Sequence, residues 1–115
     1  MAEYSLAHIG INAANEDEAR KAADMFCTLF GFPVKVGNSS IFAGGVVEVM
    51  KEPYLGRNGH IAIGTPDVAA AKAELEARGF TFREDSAKFK ADGKLNAIYL
   101  TDEIGGFAIH LVGKA

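Results

Sequence analysis

The feature that most constrains what this chain can fold into is an internal repeat. The first half opens His8-Ile9-Gly10-Ile11-Asn12 and runs through a helical stretch to Leu29-Phe30-Gly31-Phe32. The second opens His60-Ile61-Ala62-Ile63-Gly64 and runs through a helical stretch to Ala77-Arg78-Gly79-Phe80. Each half ends on a Gly-Gly step followed by an apolar run, Gly44-Gly45-Val46-Val47-Glu48-Val49-Met50 and Gly105-Gly106-Phe107-Ala108-Ile109-His110-Leu111-Val112. A duplicated unit of about half of the 115 residues is too small to hold a stable core alone. The expectation is therefore one domain over residues 1–115, built of repeats at about 5–51 and 58–113, with Lys51–Gly59 as the joining segment.

Each repeat has the same local grammar. Ile at alternate positions predicts strands at about 6–12 and 59–64. In the first helix Asn15 is placed as N-cap, with Glu18 three residues on. Ala19, Ala22, Ala23, Phe26 and Phe30 form its expected buried stripe, and Gly31 supplies the left-handed end. In the second helix Thr65 is the expected cap and Pro66 the first helical residue, with Asp67 favouring the positive helix end. Val68, Ala71 and Leu75 make its stripe, and Gly79 closes it. Three strands follow each helix, at about 33–37, 39–43 and 46–51, and at about 81–85, 95–101 and 107–112, with Asp92-Gly93 as a hairpin turn. The fold class is α+β, a βαβββ unit used twice, whose uncovered sheet faces can meet around a shared cleft.

Strand side chains alternate between faces. On four strands this puts branched aliphatics on one face and a ligand-capable residue on the other: His8, Glu48, His60 and His110. These positions use all three histidines of the chain. Three imidazoles and a carboxylate suit a divalent Zn, Ni, Mn or Fe ion. Asn12, Ser39, Ser40 and Tyr99 are polar strand residues that can orient substrate oxygens or simply satisfy local turns. Arg57 and Arg83 can bind an anion or lie solvated at the surface, and Cys27 reads as a structural thiol on a buried helix flank.

These residues bring the chain to a family. From about residue 6 to 112 it resembles the vicinal oxygen chelate superfamily, which includes glyoxalase I, bleomycin-resistance proteins, extradiol dioxygenases and fosfomycin-resistance enzymes. The resemblance implies paired βαβββ modules forming a cup-shaped, curved mixed sheet with helices on its outer face. It implies a metal held by His8, Glu48, His60 and His110, with His110 and Glu48 as catalytic groups and Asn12, Ser40 and Tyr99 near substrate. Catalysis would follow from Lewis-acid stabilisation of an enediolate or oxyanion. The last-strand ligand is commonly glutamate in that superfamily, whereas here it is His110. Glu48 stands three residues past Gly45 and His110 four past Gly106, so a bulge at one Gly-Gly step is expected. Phe30-Gly31-Phe32-Pro33-Val34 and Gly37-Asn38-Ser39-Ser40-Ile41-Phe42 also look like a glyoxalase-like module fused to some bacterial ketohydroxyglutarate/ketodeoxyphosphogluconate aldolases. That implies a small oxo- or hydroxy-acid as substrate, lyase- or isomerase-type chemistry and a functional link to an aldolase. A homodimer is implied as well.

Composition narrows the partners. A net charge of −3 without a basic stripe disfavours nucleic acid and anionic membranes. A single cysteine rules out an internal disulfide, and no apolar run is long enough to span a bilayer. Met1-Ala2-Glu3-Tyr4-Ser5 has no basic region, so a cytoplasmic location is expected. Two readings compete with a metal enzyme: a small-molecule binding module that has lost the metal, and a regulatory module associated with an aldolase.

Overall fold

Alternating strands and capped helices appear in the order that the repeat predicts. The computed structural model describes residues 2–114. The first unit is β1 (Ser5–Asn12), α1 (Glu16–Phe30), β2 (Val34–Val36), β3 (Ser40–Ala43) and β4 (Val47–Met50). The second is β5 (Gly59–Thr65), α2 (Val68–Ala77), β6 (Phe82–Phe89), β7 (Leu95–Ile104) and β8 (Phe107–Gly113). All eight strands form one mixed sheet in the order β2-β3-β4-β1-β5-β8-β7-β6. β1 pairs parallel with β4, and β5 parallel with β8. β1 and β5 run antiparallel at the centre, so the two units join edge to edge within one chain.

The central ladder is two-fold symmetric. His8 pairs with Ala62 and Gly10 with His60, the same pair with the halves exchanged. The ladder is regular there because an irregularity in β1 is absorbed earlier, between Leu6 and His8.

The aliphatic strand faces meet the helices in two separate clusters. Ala19 and Ala23 of α1 pack on Ile41 and Val49. Val68 and Ala71 of α2 pack on Phe82, Ile98 and Leu111. Alanines let each helix lie close to the sheet, while branched chains on the sheet fill the layer between. Asn15 caps α1 by accepting from the Glu18 amide at 2.9 Å, and Gly31 ends it with φ +73°.

Several expectations need correction. Thr65 does not cap α2: it ends β5, buried, and Asp67 caps instead by accepting from the Ala70 amide at 3.0 Å. Asp67 stands next to the first helical residue, so its carboxylate reaches the amide three positions on, which Thr65 cannot. Phe30 is not in the core of α1 but 63% exposed, and Phe26 is half-buried. Both meet Phe32 in a small aromatic cluster of their own, Phe26 stacked on it and Phe30 tilted against it. Cys27 is exposed, on the outward side of the same helix. β6 and β7 run on to Phe89 and Ile104, longer than their sequence signals. The bulge expected at a Gly-Gly step lies in β7, between Tyr99 and Glu103. Among the described residues no helix is long and apolar enough to cross a membrane.

Candidate metal centre

Cross-strand register builds the site as two matching rows. One runs Lys35, Phe42, Glu48, Gly10, His60 across five strands. The other runs Arg83, Tyr99, His110, Ala62, His8. The ladder thus equates Glu48 with His110, Phe42 with Tyr99, and Gly10 with Ala62. Each of the four ligand-capable residues has a small residue, Gly10 or Ala62, as its neighbour across the central strands.

Gly10 is small for a definite reason. A Cβ there would lie 1.9 Å from Cε1 of His60, so the His60 ring occupies the space a side chain would need. His60 is 2% exposed, and its Nδ1 is the one buried side-chain nitrogen or oxygen among the described residues without a hydrogen-bond partner.

The three imidazoles converge. Ligand-capable nitrogens of His8, His60 and His110 all lie within 4.8 Å of one another. Ring centroids are 5.3 Å apart for His8 and His60, 5.3 Å for His60 and His110, and 5.6 Å for His8 and His110. Glu48 closes the group. Its Oε1 accepts from Nε2 of His60 at 2.9 Å and of His8 at 3.2 Å. Its Oε2 accepts from the Ser40 hydroxyl at 2.7 Å. Burial alone would raise the Glu48 carboxyl, but hydrogen bonds from His60, His8 and Ser40 hold it far below the usual carboxylate range. Burial pushes His110 down to about 4, against the opposing effect of its Leu111 hydrogen bond. The His110 Nδ1–H donates to the Leu111 carbonyl at 3.2 Å, which leaves Nε2 as a free lone pair.

This donor set fits a divalent transition metal. Three imidazole nitrogens within 4.8 Å of one another, with a carboxylate oxygen beside them, are the donor types that such an ion takes. A carboxylate kept ionised and an imidazole kept neutral are the protonation states that ligation needs. Ser40 behind Glu48 and the Leu111 carbonyl behind His110 are the outer partners that usually orient ligands.

The remaining predicted residues divide. Tyr99 lies over the centre, its ring 4.7 Å from that of His110, and burial holds its hydroxyl above its ordinary value, hence protonated. Ser40 is buried and turned to Glu48. The Asn12 side chain holds the segment joining the units: it donates to the Gly56 carbonyl at 3.0 Å and accepts from the Tyr54 amide at 3.3 Å. Ser39 lines the cup, and Arg83 is an edge-strand residue 3.8 Å from Asp85. Sequence reasoning missed Tyr54, which reaches the cup and meets Tyr99 at 5.9 Å, and it missed Lys88 on the cup wall. Tyr54 sits in the joining segment, where no periodicity signals a face.

The cup above the centre has a volume of about 180 Å³, lined among others by the four ligand-capable residues, Tyr54, Tyr99 and Lys88. Ligand clefts of drug size run to roughly 300–1,000 Å³, so this one suits only a small molecule or the end of a larger one.

No protein-family model matches the chain, and no curated protein does. Solved structures do. A hypothetical protein, BH1468 from Bacillus halodurans, superposes with a TM-score of 0.67 at 17% identity, covering 98% of this chain and 96% of that one. Streptomyces coelicolor methylmalonyl-CoA epimerase in complex with 2-nitronate-propionyl-CoA gives 0.65 at 21%, covering 96% of each. The Mycobacterium tuberculosis epimerase gives 0.64 at 18%, covering 96% of this chain and 87% of that one. At these identities the likeness is one of fold: over almost its whole length the chain has the architecture of the methylmalonyl-CoA epimerases.

Proposed function

We propose that the chain is a divalent-metal protein of the vicinal oxygen chelate type, acting on a small oxo- or hydroxy-acid. The observation that carries this reading is the convergence of three imidazoles and one ionised carboxylate at the floor of a cup. His8, Glu48, His60 and His110 would hold the ion. Once bound, it would supply Lewis-acid stabilisation of negative charge on a substrate oxygen.

The residues around it have separable tasks. Glu48, with its basicity drawn down by three hydrogen bonds, serves as an anchor rather than as a proton acceptor. His110 is neutral, so its Nε2 can ligate or take up a substrate proton. Tyr99 keeps its proton and can donate to a substrate oxygen. Tyr54 lines the cup beside Tyr99 and adds apolar surface to it. The small volume favours an acid of a few carbons.

The test is elemental analysis of protein purified without chelator, with metal titration of wild type, His8→Ala and His110→Ala. Near one equivalent of metal in wild type, with much weaker uptake by both variants, is expected. A wild type unable to take up any divalent metal overturns the reading. Tight binding of a small acid that a chelator leaves unchanged would favour the non-catalytic binding module.

A further inference from the structure

We propose that Lys88 is the carboxylate-binding residue of the cup, so that its ligands are small organic anions rather than neutral diols or carbonyl compounds. This rests on the reading of the cup as a metal-binding substrate site.

The placement of Lys88 depends on an irregularity in β6. Arg83 pairs with Tyr99 in the regular β6–β7 ladder, and continued pairing would bring Asp85 opposite Ala97. Instead the register slips between Arg83 and Lys88, and Lys88 stands opposite Ala97. Ala97 and Tyr99 both line the cup, two residues apart on one face of β7. The slip therefore exchanges an acid for a base on the cup wall.

Ser86 pins it. The Ser86 hydroxyl donates to the Arg83 carbonyl at 2.6 Å and accepts from the Tyr99 amide at 2.9 Å. Those two bonds satisfy backbone groups that the ladder loses at the slip. Bulges of this kind re-aim side chains beside functional sites.

The charge inventory points the same way. Among the residues lining the cup, Lys88 is the one lysine or arginine, and Glu48 the one acid. Glu48 is already engaged by His60, His8 and Ser40. The Lys88 ammonium has no hydrogen bond or ion pair among the described residues. Lys88 is thus the one cation of the cup wall left open to an anion from solution, and an ammonium beside a carboxylate makes a charge-assisted hydrogen bond. Lys88 shares the cup with the four residues that would hold a divalent ion, so an acid with a neighbouring oxygen would find both kinds of partner there.

Oxalate is a suitable probe, because it is a small anion with neighbouring oxygens. Its binding to Mn²⁺-loaded wild type, Lys88→Gln and Lys88→Arg is measured by calorimetry, alongside the Mn²⁺ affinity of each. The expected result is equal Mn²⁺ affinity in all three, oxalate binding roughly tenfold weaker in Lys88→Gln, and recovery to near wild type in Lys88→Arg. Raising the salt should narrow the difference, since Lys88 is exposed. Equal oxalate affinity in wild type and Lys88→Gln, with the metal bound in both, overturns the Lys88 assignment and leaves the metal reading standing. Failure of wild type to bind Mn²⁺ or any other divalent ion overturns the metal reading, and this assignment with it.

Discussion

Gly10 and His60 face each other across the central β1–β5 ladder, and the imidazole fills the volume that any side chain at position 10 would need. One residue without a side chain thus seats an imidazole that comes from the other half of the chain. Gly10→Ala should displace His60, because 1.9 Å to the ring leaves no room for adjustment by tenths of an ångström. Overpacking of this kind costs roughly 1–3 kcal/mol, and metal affinity should fall by about tenfold or more. Thermal unfolding and metal titration of the variant check both. Unchanged metal affinity would show that the His60 ring position does not matter to the centre.

Ser40 shapes the same centre from behind. Its hydroxyl gives Glu48 a 2.7 Å hydrogen bond, one of the three that keep the carboxylate ionised. Ser40→Ala should raise the Glu48 carboxyl and weaken metal binding by about 10–100-fold, the usual cost of losing an orienting partner. Ser40→Thr keeps the hydroxyl and should bind metal more tightly than Ser40→Ala. A metal titration of the pair decides.

Metal should stabilise the fold, since the four proposed ligands lie on β1, β4, β5 and β8 and come together only in the folded chain. At metal a hundredfold above its dissociation constant the gain is about 2.7 kcal/mol. Melting curves with metal and with excess chelator should differ accordingly for wild type, and hardly at all for His8→Ala.

Acid should destabilise the metal-free protein. In the folded state burial pushes His110 from 6.5 down to about 4, so between those values the unfolded chain binds the proton more readily. The contribution is fully present above pH 6.5 and is lost as pH falls towards 4. Glu48 is lowered too and adds to the loss at still lower pH. For His110 the full effect is roughly 3 kcal/mol. Urea unfolding of chelator-treated protein at intervals from pH 7 to pH 4 should show the slope, and His110→Gln should flatten it.

Much of this was legible in the residues themselves. The repeat announced two βαβββ units, and alternation put His8, Glu48, His60 and His110 on the faces away from the aliphatic residues. Asn15 and Gly31 marked the ends of α1, because caps depend on atoms within a few residues of one another. The α2 start was misread because Thr65-Pro66-Asp67 offers two capping side chains, and only the strand pairing that ends at Thr65 chooses between them. Phe30 was misread because helical periodicity gives a stripe but not what packs against each end of it.

By itself, the sequence determined which residues could be ligands and on which side of each strand they lie. Only the tertiary structure decided that they meet. Strand faces follow from backbone alternation, a local property, whereas register is set by pairing between segments far apart in the chain. That pairing matches Glu48 to His110 through Gly10 and Ala62, and it slips β6 so that Lys88 rather than Asp85 meets the cup.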